Sequence, residues 1–135
     1  MIEYQIENDL SLEEFKSVLT NSSLAERRPV NKPDRLQKML QYGNLIVTAR
    51  IGGKIIGVSR SLTDYTFCTY LSDLAVDKKH QRQGIGIELI RQTKLKAPDA
   101  LLILLSAPSA ISYYPKIGMN QHMYCYYLDN IENLK

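Results

Sequence analysis

Gln81-Arg82-Gln83-Gly84-Ile85-Gly86 is the stretch whose reading decides the fold. Before it runs an apolar, strand-like segment, Tyr70-Leu71-Ser72-Asp73-Leu74-Ala75-Val76, and after it a helix-like segment runs from Ile87 towards Lys96. The glycines therefore sit at a strand-to-helix turn. Gly84 and Gly86 have no Cβ, so the backbone there can take unusual dihedrals and a ligand can approach it closely. A helix that starts at such a turn points free N–H groups and its positive dipole end at whatever lies over the turn. That is an anion site, and phosphate is its usual occupant. The structural alternative is a tight turn whose glycines only ease packing.

The type of phosphate ligand follows partly by elimination. A dinucleotide-binding turn needs a third Gly or Ala, with an acidic residue about 20 residues further on. Here that third position is Leu89, and the later region is the apolar run before Ser106. A P-loop needs Gly-Lys-Ser/Thr, which is absent. What remains is Gln-x-x-Gly-x-Gly after a strand ending Leu74-Ala75-Val76. This resembles the acetyl-CoA loop of the GNAT family of N-acetyltransferases. A second family pattern is an Ala followed after two residues by Phe-Tyr-Glu-Lys-Leu-Gly-Phe. The chain has Ala110-Ile111-Ser112-Tyr113-Tyr114-Pro115-Lys116-Ile117-Gly118-Met119 at the corresponding place. Ala110, Tyr114, Lys116 and Gly118 match, and Tyr113, Ile117 and Met119 are similar apolar substitutes. The departure is Pro115, which cannot donate a hydrogen bond and disfavours a helical residue before it.

Composition is that of an ordinary globular protein. The chain has 135 residues, which predicts one domain over residues 1–135 with one core. A net charge of +3 suits an anionic cofactor without requiring nucleic acid. No apolar run reaches the ~18 residues of a membrane span, so no membrane partner is expected. Met1-Ile2-Glu3-Tyr4 carries neither a basic region nor an apolar signal core. The two cysteines, Cys68 and Cys125, lack metal-type spacing and fall in strand-like runs, which predicts buried thiols in a reducing cytoplasm.

Along the chain, Ile2 to Ile6 alternates as a strand. Ser11 and Glu14 form a capping box for a helix whose inner face is Leu12, Phe15, Val18 and Leu19. Pro33 opens a second helix that Gly43 ends. Leu45–Arg50 and Lys54–Ser61 are strands joined by a hairpin at Gly52-Gly53. The strand ending at Val76, the glycine turn and the third helix follow. Ala100 to Leu105 is almost wholly apolar and reads as a central strand covered on both faces. A short helix between Pro108 and Ile117, a tyrosine-rich strand over His122–Leu128 and a frayed tail from Ile131 complete the chain. Hairpins come first and helix crossovers later, so the sheet should be mixed.

The GNAT family has this order of elements. The resemblance implies an α/β chain with the GNAT acyl-CoA N-acyltransferase fold. In that fold helices flank a mixed sheet, and the strand ending at Val76 splays from Ala100–Leu105 to leave a cofactor slot. It implies acetyl transfer from acetyl-CoA to a primary amine by direct attack in a ternary complex, with no metal. The loop Gln81, Arg82, Gln83, Gly84, Ile85 and Gly86 would hold the pyrophosphate. The edge Leu74, Ala75 and Val76 would pair with the pantetheine arm, an N–H there polarising the thioester carbonyl. Tyr114 would be the general acid at sulfur. Some relatives carry a Glu on the slot strand, but the matching position here is Tyr70, and Asp73 is the nearest carboxylate for a base. Deprotonation through water is equally open. Arg27, Arg28 and Tyr70 fall on the acceptor side, as do Arg60, Asp64 and Tyr124. The acceptor would be a small-molecule or peptide amine, and family members often form homodimers. A second reading is a GNAT-fold module that binds acyl-CoA without catalysis, as a sensor or partner subunit. Nucleic-acid binding through the last tyrosines is disfavoured, because Tyr124, Tyr126 and Tyr127 do not share one strand face.

Overall fold

The computed structural model describes residues 1–135, and its sheet is organised by a tight glycine hairpin. Gly52 and Gly53 take φ of 55° and 83°, the positive values that a two-residue hairpin turn needs. They join β2 (Leu45–Ile51) to β3 (Lys54–Thr63). β1 (Ile2–Ile6) pairs antiparallel with β2, and β4 (Cys68–Val76) antiparallel with β3. β5 (Leu101–Ile103) joins the far edge in parallel with β4, so the sheet is mixed, with its strands in chain order.

Helices α1 (Leu12–Ser22) and α2 (Pro33–Tyr42) cover one face, and α3 (Ile85–Lys96) covers the other. Phe15, Val18, Leu19, Leu36 and Leu40 pack on Ile46, Ile55, Val58 and Ala75. On the opposite face Ile85 and Leu89 pack on Leu45, Val47, Ala49 and Ile56. Each fully buried side chain of this size contributes about 1.5–3 kcal/mol from area removed from water. α1 begins at Ser11, whose Oγ accepts from Glu14 N at 3.2 Å. The capping box is only half formed, because the Glu14 carboxylate turns to Arg50 instead. Pro33 stands at the start of α2, where its missing N–H has no helical partner to lose.

Two register shifts bend the sheet. Ala49 faces Gly57 and Arg50 faces Ile55, so Ile56 is an extra residue on β3. Arg60 faces Asp73 and Ser61 faces Leu71, so Ser72 is an extra residue on β4. Such bulges bend a strand and increase its twist.

Three expectations change. Ala100–Leu105 is not a central strand: only Leu101–Ile103 is extended, at the sheet edge, and Leu101 is 61% exposed. A short apolar run has the same composition at an edge as at the centre, and pairing distinguishes the two. The cysteines are exposed rather than buried: Cys68 opens β4, and Cys125 lies outside any strand. His122–Leu128 forms no strand and is exposed throughout. Its tyrosines fall on both parities, so a strand there has no single apolar face to bury.

By internal contacts the chain divides into Met1–Leu105 and Ser106–Lys135. The second unit holds a 3-10 turn over Pro108–Ala110, helix α4 (Tyr113–Lys116) and a 3-10 turn over Ile131–Asn133. Pro115 is accommodated because α4 is a single turn, whose first N–H groups have no helical acceptor in any case. Gly118 follows with φ 98°. No helix of the molecule is long and apolar enough to cross a membrane.

Candidate functional site

The slot is formed by what β4 does not pair with. Its hydrogen-bonded partnership with β3 runs as far as Val76 opposite Gly57. On its other edge it meets β5 only at Cys68, Thr69 and Tyr70, opposite Leu101, Leu102 and Ile103. From Leu71 to Val76 that edge has no strand partner, which is the expected splay. Ala75 packs under α1 and α2, while Leu74 and Val76 pack towards α3. The backbone between them is thus firmly seated while its outer edge stays free to hydrogen-bond a ligand.

The glycine loop follows directly. Asp77 is buried, its N–H donates to Ile56 O at 2.8 Å, and its carboxylate accepts from Lys79 N at 2.9 Å. Gln81 Nε2 donates back to Val76 O at 3.0 Å, tying the loop to the end of β4. Arg82 and Gly84 both take positive φ, 64° and 80°. Gly84 is the N-cap of α3, and no side chain caps that helix. The first-turn N–H groups around Ile85 and Gly86 therefore have no acceptor within the helix. A Cβ built on Gly84 meets nothing within 4 Å, so the space over the turn is open. Lys78, Lys79, Arg82 and Gln83 are exposed around it. Uncapped donors, open space and flanking cations fit a pyrophosphate, and the neighbouring strand edge fits an amide-containing arm.

Asp73 lies beside the slot but is fully buried, and each carboxylate oxygen is engaged by a guanidinium: Oδ1 by Arg28 Nε and Oδ2 by Arg60 Nε. Arg28 also donates to Ser72 O at 2.8 Å and to Arg27 O at 2.8 Å. Arg60 donates to Met39 O at 3.0 Å and to Ser72 Oγ at 3.1 Å. Asp73 shares its strand parity with buried Leu71 and Ala75, a signal of burial that the sequence carried. With both oxygens taken up by guanidinium donors and no exposure, the carboxylate has no oxygen aimed at an incoming amine, which weighs against Asp73 as a general base. Arg28 is likewise committed to protein groups. Arg27, one residue earlier, is exposed and forms no ion pair. The sequence treated the two arginines as equivalent, and what separates them is a partner 45 residues away.

Tyr70, the last β4 residue paired to β5, lines an open hollow of about 440 Å³ together with Tyr42, Leu62, Asp64 and Ile103. Asp64 Oδ1 accepts from the N–H groups of Phe67, Thr66 and Cys68 at 2.8, 3.0 and 3.1 Å. Those bonds hold its carboxyl below the usual carboxylate range and make it the organiser of the β3–β4 turn. In the second unit Tyr114 stands against Tyr113, ring centroids 5.2 Å apart in an edge-on arrangement. Burial, then the neighbouring Tyr113, push the Tyr114 phenol above its ordinary value.

Comparison with known proteins agrees with this geometry. The family profile described as "Acetyltransferase (GNAT) domain" matches residues 7–132. No curated protein sequence matches the chain. A GNAT-family acetyltransferase protein of Streptococcus pneumoniae TIGR4 superposes with a TM-score of 0.75 at 19% identity, over 96% of this chain and 98% of that one. The aminoglycoside N-acetyltransferase AAC(6')-Iy, solved with CoA, gives 0.74 at 12% identity, over 97% and 95%. An aminoglycoside acetyltransferase from an uncultured soil metagenomic sample, solved with trehalose, gives 0.64 at 26% identity, over 96% of each chain. A family match over almost the whole sequence, on a mixed sheet with a one-sided gap beside an uncapped glycine turn, identifies the chain as a member of the GNAT acetyltransferase family.

Proposed function

We propose that the protein transfers the acetyl group of acetyl-CoA to a primary amine by direct attack in a ternary complex. The observation that carries this is the free Leu71–Val76 edge of β4 lying directly before the uncapped N-terminus of α3. In this reading Gln81 to Gly86 hold the pyrophosphate, chiefly through backbone N–H groups. Leu74, Ala75 and Val76 orient the pantetheine arm, and an N–H of that edge polarises the thioester carbonyl. The neutral amine attacks the carbonyl carbon, the C–S bond breaks, the nitrogen loses a proton and the sulfur gains one.

Tyr114 is the proposed acid at sulfur, on the strength of the family motif around it. A phenol ionises near 10 and a thiol near 8.5. Full proton transfer is therefore uphill, but a hydrogen bond to developing sulfur charge helps throughout. Because burial raises the Tyr114 value, the phenol stays protonated across the neutral range. No side chain stands out as base, so the amine proton leaves through water. Arg27, with Tyr70 beside its hollow, faces the acceptor in this proposal, a small-molecule or peptide amine. Single-domain organisation and a homodimer are part of the same reading.

The tied-up Asp73, together with Tyr70 where some relatives carry a Glu, favours a second reading, a module that binds acyl-CoA without turnover. Thiol release on mixing with acetyl-CoA and a panel of amines separates the two. Amine-dependent release that falls roughly 10²-fold in Tyr114→Phe supports catalysis. Tight acetyl-CoA binding with no release above the uncatalysed rate supports the binding module.

A further inference from the structure

We infer that Arg28 and Arg60 are positioning residues for the slot strand: together they grip the bulge at which β4 parts from β5, and so set the aim of the free Leu71–Val76 edge. The inference rests on the acetyl-CoA reading above. Pairing with β5 stops at Tyr70, and the extra residue of the bulge is Ser72. The arginines take up that bulge from both sides. Ser72 O accepts from Arg28, Ser72 Oγ accepts from Arg60, and the Asp73 carboxylate accepts from both.

The clamp is anchored at three separate places. Arg28 comes from the chain just after the 3-10 turn Leu24–Arg27. Arg60 comes from β3 and reaches Met39 O in the last turn of α2. The end of α2 is built around it: a Cβ on Gly43 would lie 2.9 Å from Arg60 Cγ, so glycine is what lets the arginine stem pass. Gly43 itself is extended, with φ −73°, so close approach rather than a left-handed turn is its reason for being glycine.

Charge burial argues that the clamp supplies geometry. The Asp73 side chain is 0% exposed and that of Arg60 7%. A buried ionic cluster is often no more stabilising than apolar residues of the same volume, because desolvation offsets attraction. What it adds here is a fixed direction: planar guanidinium forks bind at defined angles. A bulge so held cannot slide its register, and the strand beyond it keeps one orientation towards the slot.

The test uses the full chain and acetyl-CoA itself. Wild type, Arg28→Ala and, as a control, Arg50→Ala are compared by calorimetry and by amide NMR spectra. Arg28→Ala leaves Asp73 paired with Arg60, so a folded protein is expected. It should lose roughly tenfold in acetyl-CoA affinity, the equivalent of one backbone hydrogen bond, with amide shifts centred on Ser72 to Leu74. Arg50→Ala, which loosens the other end of the sheet, should bind as wild type does. Wild-type affinity and unmoved amides in Arg28→Ala overturn the inference, as does an equal loss in Arg50→Ala. Should Arg28→Ala not fold, Arg28→Lys is read by the same criteria, since lysine keeps the charge at Asp73 but lacks the fork that also reaches Ser72 O. If wild type itself binds no acetyl-CoA, the functional reading fails. The amide shifts alone then decide the clamp: confined to Ser72–Leu74 they support it, absent they refute it.

Discussion

Two arginine clusters lie on the sheet face covered by α1 and α2, with opposite charge balance. At one end Arg50 serves two carboxylates, Glu7 at 2.8 Å and Glu14 at 2.6 Å. At the other, Arg28 and Arg60 share the single carboxylate of Asp73. The first cluster is partly open, with side-chain exposures of 12% for Arg50, 18% for Glu7 and 40% for Glu14. It links β2 to α1 and to the turn after β1. The second is closed around a carboxylate with no exposure, beside a bulge. The difference teaches what each is for. An open cluster with spare carboxylates fastens a helix to a sheet. A closed one with spare cations fixes the course of a strand whose other edge must stay unpaired.

Removing the Asp73 charge is the harshest way to test that contrast. Asp73→Asn leaves two guanidiniums close together with no anion between them. It should cost about 3–5 kcal/mol, the range for breaking a buried pair, read as a shift in urea midpoint. A cost below about 1 kcal/mol would mean that the two clusters are energetically alike. Arg50→Ala should cost less than Asp73→Asn, since its partners are partly hydrated.

A pH titration sharpens the comparison further. Hydrogen bonding to Arg50, aided by Thr48, lowers the Glu7 carboxyl from 4.5 to about 2, and Arg50 likewise lowers Glu14. A depressed folded-state value contributes stability that is fully present above the unfolded value and is lost as pH falls through the folded one. Stability should therefore decline between about pH 4.5 and 2, the window set by Glu7. That acid limb should flatten in Arg50→Ala, and an unchanged limb there would assign it to other groups. The smallest effect belongs to the second unit: Tyr113→Phe, which removes a hydroxyl from an exposed ring beside Tyr114, should change thiol-release turnover by less than about twofold.

Much of this was readable from the residues. The glycine loop, the Gly52-Gly53 hairpin, the Ser11 cap and the faces of α1 and α2 each depend on local chemistry, which a linear sequence displays. The splay was legible through family resemblance. The clamp was not, because Arg28, Arg60 and Asp73 are brought together only by the bulge at Ser72 and the end of α2. Parity with Leu71 and Ala75 signalled that Asp73 is buried, but not which cations meet it. The edge position of β5 was hidden for a similar reason: an apolar run records burial preference, while strand order depends on partners far along the chain.

The central claim, that acetyl-CoA is held by the turn at the head of α3, is tested most directly by calorimetric titration of acetyl-CoA into wild type, Gly84→Asp and Gly84→Asn. Gly84 has φ 80° and open space above it, and Asp and Asn both tolerate that backbone region better than other residues with a side chain. Asn thus reports the strain and Asp adds the charge. The account predicts binding by wild type, a modest loss in Gly84→Asn, and at least roughly 10²-fold weaker binding in a folded Gly84→Asp, where a carboxylate faces the phosphates. Equal affinity in the Asp and wild-type proteins would contradict it, because the phosphates would then lie somewhere other than over Gly84.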